Sequence, residues 1–382
     1  MTVIATRPPR RRSAATRGES LSGWLFVSPI LIILGLFLAV PVGMALWVSV
    51  SDWTGRGSPF ASGVGFVGLD NYRELLGGGG LAERDFGLSL RNNAWYVLLV
   101  VPIQTAVSLL LAVLVNRQVL RGRGFFRTAF YFPSVTSSVA ITVLWLFLFS
   151  QSGAVNKLLS FVGITGPAWF NDASGVLHNL LALVGVREAP AVLADNTALG
   201  IPLWEWLAGP SVAMSAFILM AVFTTSGTFM LLFLAALQNL GGDVQEAAMM
   251  DGATGWQRFW RITLPQLRPT LFTVLTLGLI GTWQVFDQIY TGTQGGPQKT
   301  TLTPAYLSYT SAFGDQEWGR GAAIAFVLFV IIVVLTILQR IVLRDRAVSK
   351  RRLAMYAPAA ATADSTTGTT GTTGTTGTEA RR

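Results

Sequence analysis

Long apolar blocks separated by polar segments dominate the chain. Six blocks reach about 20 apolar residues, the length a helix needs to cross a hydrocarbon core about 30 Å thick. They are continuous and carry no Lys or Arg well inside, unlike the alternating strands of a membrane barrel, so we expect helices. The predicted spans are Trp24–Val50, Ala94–Val115, Ala129–Phe149, Pro210–Leu237, Leu271–Tyr290 and Ala322–Leu343.

The composition supports a membrane protein. Of 382 residues, 51% are hydrophobic and 12% are charged, whereas a soluble domain has roughly 25% charged residues. The chain has no cysteine and a single histidine, His178. Disulfides, thiolate metal sites and a His-based metal cluster are therefore excluded.

The positive charges predict the topology. The formal net charge is +9, and of 28 Lys and Arg residues 20 lie on the side that six spans assign to both termini. Because positive residues concentrate in cytoplasmic segments, both termini are expected in the cytoplasm. Topology and anionic lipid account for the basic excess, and no basic patch interleaved with aromatic residues points to nucleic acid.

The spans divide the chain into three regions. Residues 1–23 form a basic cytoplasmic arm, 24–346 the transmembrane domain, and 347–382 a cytoplasmic tail whose Thr/Gly repeat from 362 is expected to be disordered. Outer loops are expected at about 51–93, 150–209 and 291–320. Within the second, the eleven apolar residues 176–186 are too short for a span and predict an interfacial or folded-back helix.

A polar stretch, "EAAMMDGATGWQRFWRITLPQLRP", separates spans four and five. Asp243 and Glu246 have capping-box spacing and predict a helix start. Ala247 and Ala248 keep this helix thin, and Gly252 weakens it. The residues alone leave two interpretations open, a helix that docks into a groove of a soluble partner and an amphipathic helix lying on lipid.

This stretch resembles the EAA loop of binding-protein-dependent ABC importer permeases. The family pattern is Glu-Ala-Ala, three residues, Gly, nine residues, Ile, one residue and Leu-Pro, and every spacing matches. The resemblance extends over about residues 20–345 and is to the branch of maltose and glycerol-3-phosphate permeases, although the segment 172–208 is longer than is typical there. The residues that match as ATPase-coupling positions are Glu246, Ala247, Ala248, Asp251, Gly252, Ala253, Ile262, Leu264 and Pro265.

The resemblance implies an all-α membrane protein of six transmembrane helices, like type I ABC importer permeases. Residues 246–253 would form a cytoplasmic coupling helix that docks onto a separate ATPase dimer. The chain has no G-x-x-x-x-G-K-[ST] phosphate loop, so we expect no enzyme activity and no cofactor on it, with ATP and Mg bound by the ATPase. A second homologous permease, an extracytoplasmic solute-binding protein and a bacterial plasma (inner) membrane location are implied as well.

Polar residues near the outer ends of spans four and five predict a solute path. Asp287 lies near the outer end of span five. A carboxylate within a span usually faces protein or water rather than lipid, but Asp287 could equally well lie at the membrane interface and cap the following loop. Hydroxyls in span four either line the path or bond to their own backbone. The candidate path residues are Trp283, Gln284, Asp287, Tyr290, Thr225 and Thr228.

The predicted function is a permease subunit that forms the path for a sugar or oligosaccharide. A glycerol-3-phosphate or polyol importer is the alternative, although a phosphate would favour Arg or Lys in the path and the spans contain none well inside. An ion-coupled secondary carrier would show several membrane-embedded charges. A membrane enzyme would need a nucleophile with a base, or a metal site.

Overall fold

The structure is a computed structural model that describes residues 17–116, 122–186 and 188–342. The chain divides into two units, 1–337 and 338–382, and of the second unit only 338–342 are described. Most of the predicted arm and the whole predicted tail therefore lie outside the described residues. The helices are α1 (Arg17–Leu34), α2 (Val40–Ser49), α3 (Asp70–Gly77), α4 (Leu81–Asn116), α5 (Arg123–Val135), α6 (Ser138–Leu148), α7 (Ala154–Phe161), α8 (Val176–Leu183), α9 (Ala191–Asp195), α10 (Leu203–Trp206), α11 (Val212–Gln238), α12 (Gly242–Met250), α13 (Gly255–Arg258), α14 (Leu264–Gln266), α15 (Arg268–Trp283), α16 (Asp287–Gly292), α17 (Pro304–Tyr309) and α18 (Trp318–Val342).

Five segments of the described chain are long and apolar enough to cross a membrane, and the α5–α6 pair makes a sixth if it counts as one span. The prediction was an all-α protein with six spans; the structure is mostly helical, as predicted, with five or six candidate spans. A π-helical turn at Gly35–Ala39 joins α1 to α2. The five segments are Ser22–Ser49, α4, α11, Arg268–Gly292 and α18.

The third predicted span is not a continuous helix. The axes of α5 and α6 differ by 98°, so the segment predicted as one span over Ala129–Phe149 consists of two helices joined at a sharp bend. Pro133 lacks an N–H and weakens the last turn of α5. Thr136 and Ser137 then adopt extended ψ angles of 148° and 130°, which turns the chain before α6 starts.

The helix α4 begins 13 residues before the predicted span at Ala94. The expectation of a loop over 51–93 is therefore wrong for its last 13 residues, and α3 adds a further helix. The extension is polar on one side, but it buries Phe86 and, with α3, Leu75 in the protein core. This burial stabilises the helix where composition alone predicted a loop.

The long loop, residues 150–209, contains short elements and no span. Its helix α8 has eight residues, about 12 Å at 1.5 Å per residue, which agrees with the expectation of a non-spanning helix. Two short strands, β1 (Thr197–Ala198) and β2 (Ile201–Pro202), pair antiparallel. The turn between them holds Leu199 and Gly200 at φ of 51° and 69°, and it adds a hairpin to the all-helical prediction.

Three contacts fix the long loop to α4. The guanidinium of Arg91, buried to 7% exposure, lies 3.6 Å from the Glu205 carboxylate. The indole nitrogen of Trp95 donates to the carbonyl of Trp206 over 2.9 Å. Gly87 packs directly against the backbone of the hairpin turn. The loop is therefore attached to one spanning helix along about two turns.

Two apolar cores lie at opposite ends of the spanning helices. The core toward the long loop includes Phe86, Phe217 and Ile289. The core toward the EAA stretch includes Phe233 and Val274. The middle of α4, α11 and α15 lies between these cores, and the polar residues described below occupy it.

Close approach of α5 and α11 at Gly227 generates a first prediction. A methyl group there would collide with the carbonyl oxygen of Phe130 and lie 2.7 Å from the Ser134 hydroxyl. Gly227→Ala should destabilise the protein by about 1–3 kcal/mol, the usual range for overpacking. Thermal unfolding of the purified protein in detergent measures the effect. Gly281→Ala is the matched control, since nothing lies within 4 Å of a methyl group there; equal midpoints for both variants would contradict the assignment.

Candidate functional site

A polar cavity of about 300 Å³ lies between the two cores, halfway along the spanning helices. Its walls come from α4, α11 and α15, and the fifth span is interrupted beside it. The helix stops at Trp283, and α16 starts at Asp287. The interruption exposes Gln284 and Asp287 at the cavity wall. Irregular backbone at membrane depth is stable where it lines such a cavity.

A second cavity of about 300 Å³ adjoins the first. It lies at the bend between α5 and α6, so each cavity is bordered by a break in a spanning helix. Ser134 and Thr136 line it on the bend, and Thr228 lines it on α11. The two cavities share the wall formed by Thr224, Thr225, Phe229 and Gln288, and we call them together the central cavity.

A buried glutamine joins three spanning helices at the central cavity. Gln104 of α4 is completely buried, and its amide lies 2.6 Å from the Thr225 hydroxyl of α11. The same hydroxyl lies 2.7 Å from the Ala221 carbonyl. The hydroxyl donates its single proton toward both the Gln104 Oε1 and the Ala221 carbonyl, whereas the Gln104 Nε2 has no hydrogen-bond partner among the described residues. The other side of the amide packs on Gly278 of α15, where a methyl group would lie 2.5 Å away.

The predicted path residues fall into two groups. Thr225, Gln284 and Asp287 line the first cavity, and Thr225 and Thr228 line the second. Trp283 instead packs in an apolar cluster, with 5% of its surface exposed. Tyr290 lies outside both linings, stacked on Phe286 at 5.5 Å.

Several polar lining residues were not among the predicted path residues, and Tyr96, Gln104, Gln288 and Ser134 are examples. Tyr96 and Gln104 lie in the second span, and polarity within one helix does not show which of its side chains face a cavity. Gln288 and Ser134 line the cavity because of the two helix breaks. The motif "FPS" at 132–134 was the available signal for one break, since proline weakens a helix.

The first half of the EAA stretch is a helix with a defined end. Gly252 has φ of +76°, the left-handed conformation that glycine adopts most easily. Its N–H donates to the Met249 carbonyl over 3.0 Å, and the Ala253 N–H donates to the Ala248 carbonyl over 2.9 Å. This pair of bonds is a Schellman motif, which terminates α12. The fixed glycine of the EAA pattern is therefore the residue that ends this helix.

The predicted capping box lies at the wrong position. The N-cap of α12 is Gly241, without a side-chain cap, and Asp243 lies inside the helix. The capping box occurs instead at Thr254, whose hydroxyl accepts from the Gln257 N–H over 3.3 Å, while the Gln257 amide oxygen accepts from the Thr254 N–H over 2.9 Å. Threonine is one of the residues preferred at helix N-caps, and here it starts the second helical half.

The two halves present different faces. Glu246, Ala247 and Asp251 are exposed, and Met250 is 88% exposed, whereas Ala248 is buried. Glu246 makes no ion pair with any residue of the described ranges. Gln245 donates to the Thr263 hydroxyl over 3.1 Å and holds the halves together. The remaining motif residues are partly buried, namely Ala253, Ile262, Leu264 and Pro265.

Comparison with known proteins decides the family. The model of the family described as "Binding-protein-dependent transport system inner membrane component" matches residues 104–348, well over half of the chain. The chain belongs to this family. Membership confirms the identification as an ABC importer permease, a membrane component of a transport system.

Relatives and a solved structure agree with this membership. The lactose transport system permease protein LacF of Rhizobium radiobacter is 31% identical over 341 residues, 88% of this chain and 98% of LacF. The arabinooligosaccharides transport system permease protein AraP of Halalkalibacterium halodurans is 29% identical, over 88% of this chain and 92% of AraP. A bacterial ABC transporter that imports the acidic polysaccharide alginate shares the fold, with a TM-score of 0.63 and 20% identity over 86% of this chain and 96% of that one.

The contact between Gln104 and Thr225 generates a second prediction. Thr225→Val keeps the shape of the side chain but removes the hydroxyl, so the buried amide loses its partner. Hydrogen bonds between membrane helices contribute about 0.6 kcal/mol on average and up to about 1.7 kcal/mol, and full burial of Gln104 places this one toward the upper value. Thermal unfolding measures the loss. Thr228→Val, at an exposed hydroxyl on the same helix, is the control and should unfold at the wild-type temperature; a lower midpoint for it alone would contradict this role.

Proposed function

We propose that this permease carries a neutral sugar or oligosaccharide through the central cavity. The observation that carries the proposal is the chemistry of that cavity. Apart from Asp287, its polar lining consists of hydroxyl and amide side chains, and Phe229 and Phe286 add aromatic faces. Hydroxyls and amides bond to sugar hydroxyls, and aromatic faces pack on sugar C–H groups. The names of the relatives, which refer to lactose and arabino-oligosaccharides, support the same class of solute.

The charge of the central cavity favours a neutral solute over an anionic one. Asp287 is the one charged residue among the described residues that line it, and neither Lys nor Arg is present there. A carboxylate repels a phosphate or a uronate by roughly 1 kcal/mol at 4 Å in water and by more where water is excluded. Glycerol 3-phosphate is therefore a poor fit to this subunit.

A third prediction tests this selection. The transported sugar is first identified as the one that stabilises the cognate solute-binding protein against heat. Asp287→Asn should then raise the KM for its uptake several-fold, because a carboxylate accepts stronger hydrogen bonds than an amide. It should also increase the uptake of a uronate-bearing analogue relative to the neutral sugar by about tenfold, equivalent to ~1.4 kcal/mol.

The control for Asp287 is Asp315→Asn, an exposed carboxylate in the third loop that lies outside the cavity lining. It should leave both uptake rates at wild-type values. An unchanged preference in Asp287→Asn, or the same change in Asp315→Asn, would refute selection at the cavity.

We also propose that α12 is the coupling helix and docks into a cleft of a separate ATPase. Support comes from its exposed Glu246, its thin Ala247 face and the adaptable apolar side chain of Met250. Such a face suits a helix-in-groove contact. ATP and Mg would be bound by the ATPase dimer, whose closure would move the permease helices between two states.

The remaining parts of the proposed complex follow the family. They are a second homologous permease and an extracytoplasmic solute-binding protein; the alginate importer was solved with a pentasaccharide-bound periplasmic protein. The excess of Lys and Arg supports cytoplasmic termini, with the long loop outside a bacterial plasma membrane.

A fourth prediction tests the coupling helix through its C-terminal glycine. Gly252→Ala forces a left-handed conformation on a residue with a side chain, which costs about 1–2 kcal/mol, while nothing lies within 4 Å of the added methyl group. Association with the ATPase should weaken by about 5–30-fold in co-purification, and sugar uptake should fall with it. Gly255→Ala is matched, since its methyl group also meets nothing and its φ is negative. ATPase binding that survives Gly252→Ala, or fails equally in Gly255→Ala, would disprove this role for α12.

A further inference from the structure

A third cavity, of about 400 Å³, lies at the long-loop end of the protein. We call it the loop cavity. It is formed where the end of α6, residues 168–171 of the long loop and residues 292–297 meet. Its volume is within the range of about 300–1,000 Å³ typical of small-molecule sites.

The loop cavity and the central cavity lie at the two ends of one short helix. Asp287 at the start of α16 lines the central cavity, and Gly292 at its end lines the loop cavity. Six helical residues separate the two sites by about 9 Å.

Packed side chains close the space between the two cavities. A methyl group on Gly292 would lie 2.7 Å from the Phe217 ring and 3.4 Å from the Thr142 methyl group. Phe217 and Ile289 are themselves buried, at 1% and 0% exposure. A solute in the loop cavity would therefore occupy a separate compartment from one in the central cavity.

Aromatic rings form the floor of the loop cavity. Phe149 and Phe170 both line it, and each is fixed by further rings. Trp145 stacks on Phe149 at 4.6 Å and 13°, and Trp169 meets Phe149 edge-on at 5.2 Å. The floor is rigid, so an apolar face of a ligand could pack on it without reordering these side chains.

Two amide side chains at the rim have no hydrogen-bond partner among the described residues. Gln151 and Asn171 are exposed and line the cavity. The side chain of neither residue forms a hydrogen bond to any residue in the described ranges, whereas the hydroxyl of Thr293 on the opposite wall is already paired with Thr301. No charged side chain is part of the described lining. Unpaired amides over a fixed aromatic floor are suited to a neutral ligand with hydroxyl groups.

We propose that the loop cavity is a second saccharide subsite, which holds one or two neutral sugar units before they reach the central cavity. The inference rests on the proposed sugar transport. The Gln151 and Asn171 amides bond to the sugar hydroxyls, and the Phe149 and Phe170 rings pack against its C–H face.

Single thiols test the subsite directly, because the chain has no cysteine of its own. Gln151→Cys and Asn171→Cys are each made in the full transporter and labelled with a membrane-impermeant maleimide, without ATP or binding protein. Lactose and arabinotriose serve as probes, and the mass of this chain reports the labelling rate. Asn179→Cys is the control, an exposed asparagine of the same loop whose side chain bonds to Ser174 and is not part of the lining.

At least one of the two sugars should slow labelling of Gln151→Cys and Asn171→Cys by threefold or more and leave Asn179→Cys unchanged. The double variant Gln151→Ala/Asn171→Ala should raise the KM for uptake about tenfold, whereas Asn179→Ala should not. Labelling unaffected by both sugars, or slowed equally at all three positions, would overturn the subsite. If the wild-type transporter, supplied with ATP and its binding protein, takes up sugar while labelling is unaffected, only the subsite fails; if it takes up no sugar at all, the proposed function fails instead.

Discussion

A membrane-spanning helix can be interrupted only where its freed backbone groups find partners other than lipid, and this constraint organises the permease. The third span bends by 98° before α6, and the fifth span is interrupted between α15 and α16. In hydrocarbon, each unpaired N–H or carbonyl would cost several kcal/mol. Both breaks instead border the central cavity, so the positions of the irregular backbone and of the polar side chains have a common cause.

The same constraint explains why the surroundings of the central cavity are polar, although apolar clusters lie toward both ends of the spanning helices and around Trp283. The two cores fix the spanning helices relative to one another at each end. Between them, Gln104 is held by Thr225 and packs on Gly278, so α4, α11 and α15 meet through a small residue and hydrogen bonds. Contacts of this kind hold membrane helices together where lipid and side chains are equally apolar.

Sequence reasoning predicted the long elements well and the local irregularities poorly. Apolar length alone located the spans, because the bilayer imposes that length. The start of α4 at Leu81 was missed because the first part of α4 is buried together with α3, and α3 lies outside the apolar blocks that located the spans. The capping box was placed at Asp243 rather than Thr254, because both sequences satisfy the same rule. The path residues Thr225, Gln284 and Asp287 were selected from polarity, but Gln104 becomes visible only when three helices are assembled around it.

Attachment of the long loop to α4 has a mechanical consequence. Glu205 and Trp206 hold the loop to Arg91 and Trp95, and Gln104 lies further along the same helix. Trp95 and Gln104 lie about 14 Å apart on α4, which continues as one helix from Leu81 to Asn116 through Pro102 and so links them as a rod. A force on the long loop is therefore transmitted along this rod and tilts α4 at the depth of the central cavity. A protein that binds the long loop could in this way move the cavity wall.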